Sequence, residues 1–412
     1  MPQKIKLSLF IFVIALLVRG AYLLCSFGID NVPDADSHHY NTYADNLLTR
    51  HEFTDGFLKS RRAPGYPLFL AAVYGIFGKS VAAVKIIQLF ASAFICVIIY
   101  NITSTVTSGK FAFIAGLFAC FYHGLFEMPA HILSETFFTL FFTISVYFFI
   151  SAENSIKKEI LGAIFLAAAT YFRPITLIFP LFLFVWLYIK ADWVTAIKKT
   201  GITAAVFAFV LLPWTARNYA VHGAFVPINV QSGYDFWASN NENSLGQWNP
   251  HNLDFNKYGH LNEYQRDRAY FREGWTAIKT NGVACFIKTL TLKFAYFMYP
   301  FLPEYDLTFV FLAPFFFFGI FMGLKNRNEK ILLIFLVIML FCAITVIFYG
   351  SPRFRGPMSP FMVIAGCLGA ESLAKKFGNR IICISGAWLA VNIAIYMYSE
   401  PIRMILKGMR GI

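Results

Sequence analysis

Apolar runs of about 20 residues, the length a helix needs to cross the hydrocarbon core of a bilayer, recur along this chain. Only helices and closed barrels satisfy every backbone polar group in lipid. The apolar–polar alternation of a barrel strand is missing here. The runs therefore predict an all-α polytopic membrane protein. Composition agrees: 58% of residues are hydrophobic and 14% charged, against roughly half and a quarter in a soluble domain. About 11 transmembrane helices (10–13) are expected, at 7–26, 81–101, 111–127, 132–151, 160–172, 174–190, 201–215, 306–324, 331–349, 357–374 and 381–399.

Basic residues orient these spans. Lys4 and Lys6 put the N-terminus in the cytoplasm. The loops that then share that side hold Lys110, Lys157, Lys158, Lys190, Lys198, Lys199, Lys325, Arg327, Lys330, Lys375, Lys376 and Arg380. The net charge of +13 is thus a topology signal, and nucleic acid is not expected as a partner. Only the basic tail "RMILKGMRG" runs against the pattern. The first apolar run lacks a small-x-small cleavage site and reads as a retained helix. The seven cysteines scatter through apolar segments without a CxxC pair, which fits buried thiols rather than disulfides or a metal cluster.

Two large loops fall on the extracytoplasmic side, 28–80 and 216–303, and 304–412 carries the last transmembrane helices. The segment 284–303 is long enough to span, but Lys288 and Lys293 favour a helix lying in the interface. The second loop is rich in Asn, Trp and Tyr. Such rings stack on sugar CH groups while amides bond hydroxyls, although a plain polar loop has the same composition.

The first loop opens with "NVPDADSHHYNTYADNLL". Asp36, Tyr40, Tyr43 and Leu47 fall on one helical stripe. Asp36 would begin that helix, where a carboxylate serves equally as an N-cap or as a reactive group. The following "KSRRAPGYPLFLAAVYGIFG" holds an apolar helix too short to cross comfortably, and reads as a re-entrant or surface element covering a site. His38, His39, His51, His123, His131, His222, His251 and His260 all lie in or beside extracytoplasmic loops. Without HxH or HExxH spacing they read as hydrogen-bonding loop residues, and no metal ligands are assigned.

The pattern Asp36-x3-Tyr40-x3-Ala44-x2-Leu47, followed by "RAPGYPLFLAAVYGIFG", resembles the GT-C glycosyltransferases. The nearest branch is that of bacterial protein O-mannosyltransferase-like proteins and lipid A aminoarabinose transferases. "PAHILSETFFTLFFTISVYFF", "YFRPITLIFPL", "LLPWTARNYAVHGAFVPINVQSGYDFW" and "SPRFRGPMSPFMVIAG" are similar to later segments of that family, in order. The resemblance implies a GT-C-like fold with juxtamembrane helices in both loops. It implies Asp36 as the catalytic carboxylate, Asp34 as second candidate, and Glu135 as the later acidic residue. Some relatives carry another acidic residue where this chain has Arg61-Arg62-Ala63-Pro64, which weakens the case for a divalent metal. No cofactor is required on this reading, and a divalent metal stays open as an alternative.

The implied donor is a sugar on polyprenyl phosphate. The acceptor is the hydroxyl of a lipid-linked glycan, a lipid or a protein, and the setting is the extracytoplasmic face of a bacterial inner membrane. The leaving phosphate gains charge as its bond breaks and calls for cations. Arg61, Arg62, Arg173, Arg217, Arg353 and Arg355 all map to that interface, and guanidinium suits bidentate phosphate contact. Snorkelling explains one or two such residues, but an excess of cations outside runs against the usual bias. Arg19, several residues inside the first span, costs on the order of 3 kcal/mol unless it meets a polar cavity, and could lie near the phosphate. Tyr40, Tyr66, His123, Asn218, Tyr234 and Trp237 are the candidate sugar or acceptor contacts. One base without a nucleophilic partner implies inversion at the anomeric carbon. The rival readings are a flippase or transporter for lipid-linked sugars, which should show repeats and broken midplane helices, and a polysaccharide polymerase.

Overall fold

The computed structural model describes residues 3–153, 155–241, 246–248, 257–301 and 305–401. Among these are sixteen α-helices and no strand. In chain order they are α1 (Gln3–Tyr22), α2 (Ala35–Arg50), α3 (Gly65–Phe77), α4 (Val81–Thr103), α5 (Gly109–Phe121), α6 (His123–Phe126), α7 (Glu135–Ala152) and α8 (Ile156–Phe172). There follow α9 (Phe179–Lys190), α10 (Trp193–His222), α11 (Ser232–Asn240), α12 (Glu263–Met298), α13 (Leu307–Lys325), α14 (Glu329–Ile347), α15 (Arg355–Phe377) and α16 (Arg380–Met397).

Each of the eleven expected spans coincides with helix, but eight helices among the described residues are long and apolar enough to cross a bilayer. Of the other three, one is a bent pair that makes a ninth if taken as one span, and two fall short. The run at 111–127 is bent by 66° between α5 and the segment His123–Ala130. The run at 160–172 lies in the 17-residue α8, whose first turn carries Lys157, Lys158 and Glu159. The run at 174–190 starts with a 3-10 turn, Pro174–Ile178, before α9. The segment 284–303 is not one of the eight either. It continues α12 beyond a kink at Gly282, where φ is 76°. Lys293 does not reach for an interface: it is fully buried and donates to Asn240 Oδ1 at 2.7 Å and the Ile347 carbonyl at 3.1 Å. The tail after 401 lies outside the described residues, as does His251.

α4, α7 and α15 hold the centre, whereas α1, α10 and α16 turn most of their surface outward. Leu9, Leu17, Phe209, Leu212, Ile382 and Met397 are exposed on them, as apolar side chains facing lipid should be. Close crossing of α13 and α15 depends on glycine: a Cβ on Gly319 would collide with the Ala365 carbonyl, and one on Gly369 with that of Phe315.

Arg19 shows how the α5–α6 bend is tolerated. The bend frees carbonyls in an apolar interior, where unsatisfied ones are costly. The buried Arg19 guanidinium donates to the carbonyls of Leu125 (3.3 Å), Cys120 (3.5 Å) and Ala15 (3.2 Å), and to Ser92 Oγ (2.7 Å). It therefore staples α1 and α4 to the bend and is no candidate for a lipid phosphate.

The ends of the bundle differ in chemistry. At one, Lys190 pairs with Glu329, Lys199 with Glu159, and Lys330 donates to the Thr105 carbonyl. At the other, α2 and α3 form a hairpin over the bundle, with α11 and the first half of α12 beside it. α3 has 13 residues, about 20 Å of helix, too short for a hydrocarbon core of roughly 30 Å.

Candidate active site

A cavity of about 450 Å³ opens at the hairpin end. Asp36, Arg61, Arg62, Arg173 and Arg353 line it, with Asn229, Gln231 and Asp235. Phe138, Phe172, Ile175, Leu177, Ile178, Phe341, Ile344 and Phe348 add apolar lining. Local backbone chemistry sets each charged group. Asp36 stands in the first turn of α2, where a carboxylate suits the helix dipole. Arg173 precedes a proline, which excludes helical geometry; its extended backbone (φ −147°, ψ 125°) ends α8 and aims the side chain at the cavity mouth. Arg353 sits in the 3-10 turn Pro352–Phe354 that leads into α15.

These groups form one continuous ion-pair chain. Arg353 Nη1 donates to Asp36 Oδ2 at 3.0 Å, and its Nε to Glu135 Oε1 at 2.5 Å. Arg173 Nη1 meets the same Glu135 oxygen at 2.7 Å. Arg62 Nη2 donates to Asp36 Oδ1 at 2.7 Å and to His39 Nδ1 at 3.1 Å. Arginines from three segments far apart in sequence thus converge on two carboxylates. Burial opposes ionisation of Asp36, but the Arg62 and Arg353 guanidiniums outweigh it and hold its carboxyl well below the usual carboxylate range. Glu135, only 4% exposed, lies beneath the cavity and anchors Arg173 and Arg353. Asp36 and Glu135 both give oxygens to guanidiniums. Among the described residues no group of three or more His, Cys, Asp or Glu is placed to hold a metal ion.

Several expected site residues are elsewhere. Asp34 is the N-cap of α2, yet its carboxylate leaves the helix and accepts from His131 Nδ1 at 2.7 Å. His123 joins that outer cluster through Glu127, which also approaches His131. Burial works against protonation of His131, but its bonds to Asp34 and Glu127 push its pKa up to about 9 from the ordinary 6.5. A raised histidine pKa stabilises the fold fully below about 6.5 and loses that contribution as pH rises through 9. The melting temperature should therefore fall between pH 7 and 10, and His131→Gln should remove most of that slope.

Arg217 and Asn218 are loop clamps. Arg217 donates to Ser60 Oγ (2.7 Å) and the Phe53 carbonyl (3.1 Å) and lies over the Trp214 ring. Asn218 donates to the carbonyls of Val226 and Ile228. Arg217→Ala should lower stability by roughly 1–3 kcal/mol, read as a lower melting temperature, without weakening ligand binding in the cavity. Arg355 lies two residues past Arg353, across the start of α15, and points the other way. It donates to the Phe297 and Tyr299 carbonyls, pairs with Asp306 and covers the Phe309 ring at 4.2 Å. Tyr40 lines the cavity, as expected. Tyr66 supports Tyr40 from below, rings 4.9 Å apart, and donates to Gln88. Trp237 is buried against Tyr270, and Tyr234 belongs to a neighbouring cavity.

Asp235 is the carboxyl that sequence reasoning missed. It lines the main cavity from α11 and accepts from Gln231 Nε2 at 3.1 Å. Burial pushes its carboxyl up to about 6, against Gln231 and the arginines. Its motif "SGYDFW" was notable for rings, and nothing in one dimension shows the depth of the aspartate.

Comparisons with known proteins agree with this architecture. The family model of dolichyl-phosphate-mannose-protein mannosyltransferases matches residues 61–216. ArnT from Cupriavidus metallidurans, solved bound to undecaprenyl phosphate, is similar in structure: TM-score 0.64 and 12% identity over 96% of this chain and 64% of that one. The oligosaccharyltransferase AglB from Archaeoglobus fulgidus, solved with an inhibitory peptide and a dolichol-phosphate, is similar with TM-score 0.59 and 12% identity, over 94% and 54%. The chain thus spans between half and two thirds of the length of these structures. No curated protein matches it in sequence. Fold and site define a multi-pass membrane protein with an arginine–carboxylate cavity at one end of the bundle. In fold the chain is similar to ArnT and AglB, and the matching family model covers residues 61–216 of its 412.

Proposed function

We propose that the chain is a glycosyltransferase that moves a sugar from a polyprenyl-phosphate donor to an acceptor hydroxyl, with the hairpin end facing out of a bacterial inner membrane. One observation carries this reading: Arg353 joins Asp36 to Glu135 beside Arg173 and Arg62, in a cavity that also has extensive apolar lining. Such a cavity suits an amphipathic ligand with an anionic head and a hydrocarbon tail. Arg173 and Arg353, held in place by Glu135, take the phosphate, and the prenyl chain follows Phe172, Ile175 and Ile178. The acceptor oxygen attacks the anomeric carbon, the bond to the phosphate oxygen breaks, and its electron pair leaves on the phosphate. Asp36 receives the acceptor proton once the entering phosphate draws its guanidinium partners away. A single displacement inverts the anomeric centre. The lipid-phosphate ligands of ArnT and AglB support the donor class.

The test is a transfer assay in membranes containing the protein, across several polyprenyl-phosphate sugars, with and without chelator. The expected result is a new glycosidic linkage from one donor. Movement of intact lipid-linked sugar across the bilayer without a new linkage would overturn the reading.

A further inference from the structure

A second cavity, of about 290 Å³, adjoins the first. Leu58, Arg61, Gln231, Tyr234, Arg266 and Asp267 are among its lining residues, and every lining residue comes from the two large loops. Its walls are fixed. Tyr234 packs edge-on against Tyr270 at 5.5 Å, and Tyr270 stacks on Trp237 at 4.5 Å. Asp267 Oδ1 accepts from the backbone N–H groups of Gly233 (2.8 Å) and Tyr234 (3.1 Å), which locks α11 to α12. Both oxygens of Glu263 accept from the backbone of Lys59 and Ser60, tying the first loop to the second. A Cβ on Gly233 would collide with the Asp267 carbonyl, so this join is tight.

The partition between the cavities is thin. Arg61 and Gln231 line both. Arg61 Nε donates to Gln231 Oε1 at 3.2 Å, and Gln231 Nε2 donates to Asp235 Oδ1 at 3.1 Å. A single row of side chains therefore separates the arginine–carboxylate chain from a rigid pocket with tyrosine walls. The lining chemistry is balanced: two guanidiniums, two carboxyls, one amide and two phenol rings. Such balance suits a ligand without net charge that has many hydroxyls and an apolar ring face. The volume lies at the small end of ligand pockets, which run from roughly 300 to 1,000 Å³.

We infer that this second cavity is the acceptor site and that it takes a neutral saccharide ring. The ring lies against Tyr234 and Tyr270, its hydroxyls bond Arg266, Gln231 and Asp267 Oδ2, and one hydroxyl passes the Arg61–Gln231 partition into the donor cavity. This deepens the transfer reading and rests on it for the acceptor's role, though not for saccharide binding itself.

The experiment uses the full chain in nanodiscs and two probes. Methyl hexopyranosides and methyl N-acetylhexosaminides are screened by saturation-transfer NMR, and undecaprenyl phosphate is titrated separately. At least one methyl glycoside is expected to bind. Tyr234→Ala and Arg266→Ala should each weaken it by about tenfold and leave undecaprenyl phosphate affinity as in wild type. Arg173→Ala should do the reverse. Arg266→Ala removes a partly exposed side chain, and an unchanged melting temperature establishes that its loss of binding is local. The inference is overturned if no methyl glycoside binds, or if binding survives Arg266→Ala, or if it is lost in Arg173→Ala. Saccharide binding without undecaprenyl phosphate binding would sink the transfer reading and leave the saccharide site standing.

Discussion

Asp36→Asn is expected to lower the turnover number for sugar transfer by about 100- to 10,000-fold, with expression and melting temperature near wild type. The amide is isosteric, so the first turn of α2 should keep its place. Donor affinity should hold or rise, because Arg62 and Arg353 lose a carboxylate that competes with phosphate. This opposition between turnover and donor binding separates a proton acceptor from a purely structural ion pair, whose loss would weaken both. Turnover within about threefold of wild type would remove Asp36 from the chemistry.

Arg353 carries the second large effect. Among the described residues it alone pairs with both Asp36 and Glu135, at 3.0 Å and 2.5 Å. Arg353→Ala should weaken undecaprenyl phosphate binding by at least about tenfold and reduce transfer by about 100-fold or more. It also leaves Glu135 buried with Arg173 alone, a defect worth on the order of 3 kcal/mol of stability. Arg353→Lys should not restore activity, because an ammonium is a point charge and cannot span two carboxylates as the guanidinium fork does. Titration of undecaprenyl phosphate, with melting curves, distinguishes the two losses. Full donor affinity in Arg353→Ala would place the phosphate elsewhere.

The core of the site was legible in the sequence because its residues stand at forced positions. Arg173 precedes a proline, Arg353 lies between two prolines in "SPRFRGP", and Asp36 begins a helix whose stripe residues Tyr40 and Tyr43 are buried and Leu47 partly so. The errors share one cause. A cation at the same end of the bundle can face a cavity or hold a loop, and depth alone does not separate these. Arg217 and Arg355 took the second role because free backbone carbonyls lay within reach. Asp34 and Asp36 were told apart by sequence only weakly. Their separation depends on His131, which reaches Asp34 from across 97 residues. Hydropathy alone does not show the bend at α5–α6 or the proline-led turn at 174–178. The depth of Asp235 and Lys293 was not legible, because burial of a lone charged residue is a tertiary property.

In the proposed site a lipid phosphate sits on Arg173 and Arg353 within reach of Asp36. A structure of the chain in nanodiscs with undecaprenyl phosphate is the decisive experiment. Phosphate density is expected within hydrogen-bond distance of both guanidiniums, with the prenyl chain running along Phe172, Ile175 and Ile178. Phosphate density bound away from Arg173 and Arg353, with the Asp36–Arg353–Glu135 chain undisturbed, would contradict it.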